Sequence, residues 1–500
     1  MTPSAVCREG AVNNLHYQPA MPGYNRRRAE WRVTAMCIAA SVVLGAATVI
    51  LPWWFVFALL LLPILAFVAW NYPEIAVVGI MAMLFGAVPE ALMPRLPIAG
   101  GGVNLEDLGI VGMLLLLLIR RSGRVRELIA PVGGHLPALV AFLGVAVVSA
   151  VIAIFYKTAA PKDVLNEARP YFTWLLLPVL CLAVDNDVRA RRFKKWLFAL
   201  AVVLAAGMVL QSLTGVALFG KGRVWSSIGV SGEVLRSTTP GMFLMAGGLI
   251  YLLAAYAHGR HRFGVWMMVF GGLAAGGTLV GFGRGLWIAV IAGVGLLALQ
   301  TRGERYIRLL MVLSVGALVL GGLVAVAKPE YLIAASDRLL SVGDEVEHGA
   351  SYGRRKVENA YAMAKIAQHP VLGVGLGGAY KPPEAEYANF IADTRYIHNS
   401  YVNITTKLGL PGLAALLWLV VSVLRRTWSA ARDRAGDRAL GFAAFWIAFA
   451  TMVVTAMTQP NMAAANGVGS IALAIFLAEY ARRDRTTGGA SGVPVEVRHG

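Results

Sequence analysis

A chain of 500 residues, 58% of them apolar and only 14% charged, with a mean hydropathy of +0.65, has too little polar surface for a soluble fold of that size. The formal charge of +18 would suit nucleic acid, but the Lys and Arg residues stand in short clusters at the ends of apolar runs, which excludes a nucleic-acid partner and points to a polytopic membrane protein. Three cysteines, Cys7, Cys37 and Cys181, are scattered without metal-ligand or disulfide spacing.

From the N-terminus, a polar tail carrying Arg26, Arg27 and Arg28 leads to an apolar run that no small-residue cleavage site follows. A bilayer core about 30 Å thick takes roughly 20 apolar residues per helix. On that scale the sequence predicts about fourteen spans (twelve at the least): 33–51, 53–71, 74–93, 105–119, 137–156, 171–184, 196–215, 241–257, 263–281, 285–300, 308–327, 402–424, 439–458 and 467–481. The short runs 105–119 and 171–184 are also compatible with re-entrant segments. With the N-terminal tail inside, alternation puts every dense basic cluster on the same side. The inside connections hold 26 Lys or Arg against 8 in the short outside ones, an even count of spans that obeys the positive-inside rule.

The connection 328–398 falls outside and is too long to be idle. Within it, Arg354 to Gln368 has helical composition, and the period places Val357, Tyr361, Ala364 and Gln368 on one stripe of a helix over the outer membrane face. The chain divides into a cytoplasmic tail (1–32), N-terminal spans (33–235), a core with the outer loop (236–424), C-terminal spans (425–484) and a disordered tail (485–500).

Arginine at an outer helix end is disfavoured unless it has a task. Arg236, in GEVLRSTTPG, and Arg284, between two glycines in GFGRG, are such residues, and His398, in IHNSY, stands where the long loop re-enters the apolar region. Gly283 and Gly285 leave backbone N–H groups open beside the Arg284 guanidinium, an arrangement suited to an anion. The plainer alternatives are a headgroup anchor for Arg284 and loop roles for Arg236, Arg223 and His398. Asp185-Asn186-Asp187 spells the D-x-D of metal-dependent glycosyltransferases, but it lies beside the inside cluster Arg189 to Lys195 and reads as a solvated turn. GVGLGG at 373–378 lacks the strand that a nucleotide loop would follow. Asp344, Glu345 and Glu347 read as an exposed acidic loop, and Glu167 and Arg169 as a pair or as sugar contacts.

GFGRGLWIA, then GASYGRRKVENAYAMAKIAQHPVLGVGLGG, then HNSYVNITTKLGLPG occur in the order seen in the O-antigen ligase and O-antigen polymerase family, which this chain resembles from Arg236 to Gly412. Thr239-Pro240 replaces the Asn-Pro usual after the family's first arginine, which keeps Arg223 as a rival for that role. The resemblance implies an all-α polytopic, GT-C-like membrane fold with a large periplasmic loop. It also implies a glycosyltransferase of the bacterial inner membrane that takes a glycan from an undecaprenyl-diphosphate carrier at the periplasmic face, with no cofactor and no metal. The diphosphate-binding roles fall on Arg236, Arg284 and Arg223, the catalytic base on His398, and supporting roles on Asn399, Arg354 and Arg355. The Asn399-Ser400 pair is expected to fix the His398 tautomer. The acceptor is another lipid-linked glycan (a polymerase, favoured by the number of spans), lipid A core (a ligase) or a protein Ser or Thr. A secondary transporter or flippase is the non-enzyme alternative, disfavoured by span interiors nearly free of charge. Single cysteines placed at Arg236, Gly283 and Asn399 are expected to react with impermeant thiol reagents from the periplasm, and at Arg192 and Arg432 not to react. Labelling of positions 283 and 399 from opposite sides would rule out a shared site.

Overall fold

The computed structural model describes residues 63–89, 92–93, 96–98, 101–156, 159–219, 223–226, 234–259, 264–340, 350–382 and 394–488. The Arg26 to Arg28 tail, Cys7, Cys37, the expected span 33–51, most of 53–71, the acidic 344–347 segment and residues 489–500 lie outside them. The chain forms two compact units, Met1–Phe67 and Val68–Gly500. Only residues 63–67 of the first are described, as helix; all other described residues belong to the second.

Helices account for nearly all of the second unit: α1 (Pro73–Leu84), α2 (Leu105–Arg121), α3 (Leu136–Phe155), α4 (Pro161–Phe172), α5 (Leu176–Ala183), α6 (Asp187–Thr214), α7 (Met242–Ala257), α8 (Val265–Val280), α9 (Arg284–Gln300), α10 (Glu304–Ala327), α11 (Pro329–Leu340), α12 (Ala350–Gln368), α13 (Ser400–Arg432), α14 (Arg438–Phe449) and α15 (Ala465–Gly488). Two antiparallel hairpins interrupt them, β1 (Leu96–Ile98) with β2 (Gly101–Val103) and β3 (Arg223–Ser226) with β4 (Leu235–Thr238). Among the described residues five helical stretches are long and apolar enough to cross a membrane: Leu105–Phe155, Asp187–Thr214, Glu304–Val326, Ser400–Arg432 and Arg438–Met457. Pro73–Leu84, Met242–Ala257, Val265–Val280 and Arg284–Gln300 are apolar but shorter. The protein is an all-helical membrane protein.

Local chemistry sets the helix ends. Asn104 and Asp107 form a capping box at α2. Asn186 accepts from Arg189 N at the start of α6, which Gly215 ends with φ +72°. Pro170, which cannot donate to the ladder, precedes the 3₁₀ turn Thr173–Leu175 that separates α4 from α5. The expected stretch 171–184 is thus a broken rod, with all but Leu175 and Pro178 of its α5 portion, 174–184, buried in the bundle. Among its described residues the outer connection holds two helices, α11 and α12, where the sequence suggested one. The buried face of α12 carries Glu358 and Ala362, not the expected stripe: Val357, Tyr361, Ala364 and Gln368 are exposed.

Among the described residues, the ion pairs below join connections that alternation assigned to the same side. At the basic end Asp185 pairs with Arg121 and with Arg189 (2.6 Å), while Asn186 and Asp187 are exposed, so the D-x-D segment is a solvated turn in all but its first carboxylate. There Lys194 reaches Asp437 at 2.9 Å, and Glu479 meets His135, Arg426 and Arg482. At the opposite end Arg395 pairs with Asp163, and Arg169 pairs with Glu106 and Asp107, leaving Glu167 to Lys407.

The glycine turn after α12 and the break in α13 belong to one joint. Pro411 has no N–H, and Leu410 N turns away to Pro370 O (2.8 Å), so the carbonyls of Lys407 and Thr406 lose their helical donors. Val374 N fills Thr406 O at 2.7 Å, and Gly375 N fills Lys407 O at 3.1 Å. Glycine is required where the chains close up: Gly409 has φ +69°, and a Cβ there would lie 2.1 Å from Val371 O. Gly409→Ala should therefore destabilise the protein by about 2–3 kcal/mol from the strained backbone alone. Gly353→Ala, on exposed α12 with nothing near the added methyl, should be neutral or stabilising. Thermal unfolding of the two variants in detergent checks the contrast.

Candidate active site

The turn between α8 and α9 is the first component. Phe282 has φ +44°, a conformation costing a non-glycine residue about 1–3 kcal/mol, and it is held there by complete burial of its ring against Trp287 and Tyr331. Tyr331, on α11, is itself fixed by its hydroxyl to Ser212 at 2.8–2.9 Å. Arg284 opens α9, and its Nε donates to Arg338 O of α11 at 2.7 Å. Arg236, on β4, donates from Nε to Gly281 O at 3.0 Å. Two of the three sequence-flagged residues thus meet at one three-residue turn, each oriented by its Nε. Both guanidinium groups thus stand beside the N-terminus of α9, the positive end of its helix dipole.

Arg223 is paired in register with Thr238, two residues along β4 from Arg236. The side chains of Arg223 and of Arg354 lie outside the described part of the structure.

His398 is the second component. It sits just before α13, with its ring edge on Tyr396 (4.8 Å between centroids) and its Nδ1 2.8 Å from Glu358 Oε2. The same carboxylate oxygen accepts from His398 N at 3.4 Å. A carboxylate at that distance takes the Nδ1 proton and leaves Nε2 as the basic nitrogen. Glu358 is 7% exposed at its side chain, so the imidazole also relieves the cost of burying it. Asn399 does something other than expected: its Oδ1 accepts from Tyr401 N and Val402 N, capping α13, while Ser400 Oγ donates to Gln459 O at 2.8 Å. Neither fixes the histidine; Glu358 does. Arg355, one turn from Glu358 on α12, has an enclosed Nε with no hydrogen-bond partner among the described residues.

A segment that no sequence motif singled out links the components. After α14 the chain passes through a π turn (Ala450–Val454) and two 3₁₀ turns (Thr455–Met457 and Asn461–Ala463) before α15. Asn461 Nδ2 holds this unwound stretch by bonding Thr455 Oγ1 at 2.6 Å. A Cβ on Gly285, beside Arg284, would lie 3.4–3.5 Å from Thr455 and Thr458. Ser400, two residues past His398, bonds the same stretch, and Asn466 Nδ2 donates to Pro240 O at the end of β4. The signals available in sequence were the polar TQPN inside an apolar run and the single acid, Glu358, in a basic helix.

Among the described residues no group of three or more His, Cys, Asp or Glu is placed to hold a metal ion. The arrangement places an arginine-bearing turn and an oriented imidazole on one unwound segment of a helical membrane bundle. Residues 273–417 match the model of the O-antigen ligase family, so this segment of the chain resembles an O-antigen ligase domain. No curated protein matches the chain. The matched segment contains Arg284, Glu358 and His398; Arg236 and the Thr455 to Asn466 stretch lie outside it. Glu358→Gln keeps the shape but not the charge that orients the imidazole, and it should lower glycan transfer about 10- to 100-fold. A transfer assay on membranes with matched protein levels measures the loss.

Proposed function

We propose that the protein transfers a glycan from a polyprenyl-diphosphate carrier, undecaprenyl diphosphate in bacteria, to a hydroxyl at the periplasmic face of the inner membrane. The observation that carries this reading is the pairing of two Nε-anchored arginines at the α9 N-terminus with a Glu358-oriented His398, both resting on the unwound Thr455 to Asn466 segment. The full topology proposed is fourteen spans in a GT-C-like arrangement, with the 328–398 connection and this site outside. The positive-inside count supports that sidedness.

In the reaction, His398 Nε2 takes the proton of the acceptor hydroxyl as its oxygen attacks the anomeric carbon. The new glycosidic C–O bond forms while the bond from that carbon to the diphosphate oxygen breaks, and the carrier diphosphate leaves with the electron pair. Arg236 and Arg284, with Arg223 as a further ligand, hold the diphosphate and stabilise the charge that grows on it, a role suited to the planar guanidinium fork. Arginines supply this charge, so the proposed mechanism uses neither metal nor cofactor. Asn399 acts by fixing the start of α13, and Arg354 and Arg355 attract the anionic substrate beneath α12.

The acceptor we favour is a second lipid-linked glycan, making the protein a polymerase of a surface or exported polysaccharide. The family's description as a ligase favours lipid A core as the second reading. Incubation of purified protein with lipid-linked donor alone separates them: a polymerase extends the glycan, whereas a ligase turns over only when lipid A core is added.

His398→Ala should reduce transfer about 10²- to 10⁴-fold while leaving donor binding intact. Arg284→Lys, which keeps charge but loses the fork, should cost about 10²-fold in rate. Wild-type turnover by the histidine variant would refute the base, and full activity in Arg284→Ala would reduce that arginine to a headgroup anchor.

A further inference from the structure

The end of the bundle away from His398 carries a cavity of about 590 Å³ that the proposed reaction does not use. It lies between α6, α7, the start of α8, α14 and α15. Its walls are apolar, with Phe198, Leu244, Ile447 and Leu477 along its length, and its volume is in the range of a pocket for an organic ligand. Arg191, Lys194 and Lys195 stand at its mouth. Lys194 is fixed in place, ion-paired with Asp437 at 2.9 Å and set over the Tyr251 ring at 4.8 Å. Asp437 in turn caps α14 by accepting from Leu440 N. Arg191 and Lys195 are exposed, and Trp266, 84% exposed, adds an aromatic rim of the kind found at headgroup depth.

A basic mouth alone is what any inside connection presents. The informative feature is that an apolar trough between helices begins at these particular cations, so that a ligand filling both must carry an anionic head and a hydrocarbon tail. We propose that this cavity is a binding site for an anionic glycerophospholipid of the adjoining leaflet, with its phosphate at Arg191, Lys194 and Lys195 and one acyl chain in the groove. Basic pockets between membrane helices bind acidic headgroups through the same combination of forces. The occupant would brace α6 against α14 and α15 at the end remote from the reaction.

The full-length protein is reconstituted in nanodiscs of equal parts phosphatidylglycerol and phosphatidylcholine, extracted in mild detergent, and its retained lipids are quantified. Phosphatidylglycerol should be enriched on the order of tenfold in the wild type and fall to about twofold in R191Q/K195Q, which leaves the Lys194–Asp437 pair intact. The control R425Q/R432Q, in the separate basic patch at the α13 end, should retain wild-type enrichment. Phosphatidylglycerol should also raise the thermal midpoint of the wild type more than phosphatidylcholine does. No enrichment in the wild type, unchanged enrichment in R191Q/K195Q, or an equal drop in the control would overturn the site, the last by showing only diffuse attraction. Release of the lipid by millimolar inorganic phosphate would overturn it too, because an anchored chain resists a bare anion.

Discussion

The break in α13 costs the helix two backbone hydrogen bonds, at Thr406 O and Lys407 O, and the glycine turn Gly373–Gly378 returns them from Val374 N and Gly375 N. An unsatisfied carbonyl in this setting is expensive, so the exchange ties the outer connection to the bundle more firmly than side-chain contacts would. Ser149 Oγ adds a second donor to Lys407 O, and the Lys407 ammonium closes the joint by reaching Glu167 at 2.7 Å and Gly378 O at 2.6 Å. Because α13 begins at Asn399, this joint also sets where His398 stands. Because α12 runs directly into the turn, it sets where Glu358 stands. The positions of His398 and of Glu358 are both consequences of one proline and a handful of glycines.

Buried ion pairs elsewhere serve alignment more than net stability, since desolvation offsets most of their attraction. Lys407 is only 2% exposed and Glu74 fully buried, yet each has a definite partner: Glu167 in the first case, Arg189 and Arg192 in the second. The charged residues therefore fix which helix end meets which. Arg236 and Arg284, oriented through Nε, stand at one end, and the ion pairs of Asp185, Asp437 and Glu479 at the other.

Unwinding recurs wherever the candidate site is built. Phe282 in the left-handed region, the α13 break and the π and 3₁₀ turns of 450–463 all place backbone or polar side chains where a regular helix would present only apolar surface. Irregular backbone within a membrane bundle is tolerated only where protein satisfies it. Here Asn461, Ser400 and Asn466 do so, and in doing so they bind Arg284's turn, His398's helix and Arg236's strand to a common support.

The sequence by itself determined most of the apolar helices from α1 onward, because an apolar run long enough for the bilayer is a one-dimensional signal; the more polar α4 and α11 carried no such signal. It also marked Arg236, Arg284 and His398, whose charge or basicity is costly at a helix end unless used. Only tertiary structure decided what these residues touch. Glu358 was invisible because a polar helix has no clear apolar stripe, and the face it buries was chosen by Tyr380 and Ile397 packing on Ala362. The Asn399 side chain could equally have served the histidine or the helix, and the unpaired N–H groups of α13 took it. The glycine motif and the Leu-Gly-Leu-Pro break read as separate turns in one dimension; they are complementary halves of a single hydrogen-bond exchange across more than thirty residues of chain, and pairing at that distance is fixed by packing, not by local pattern.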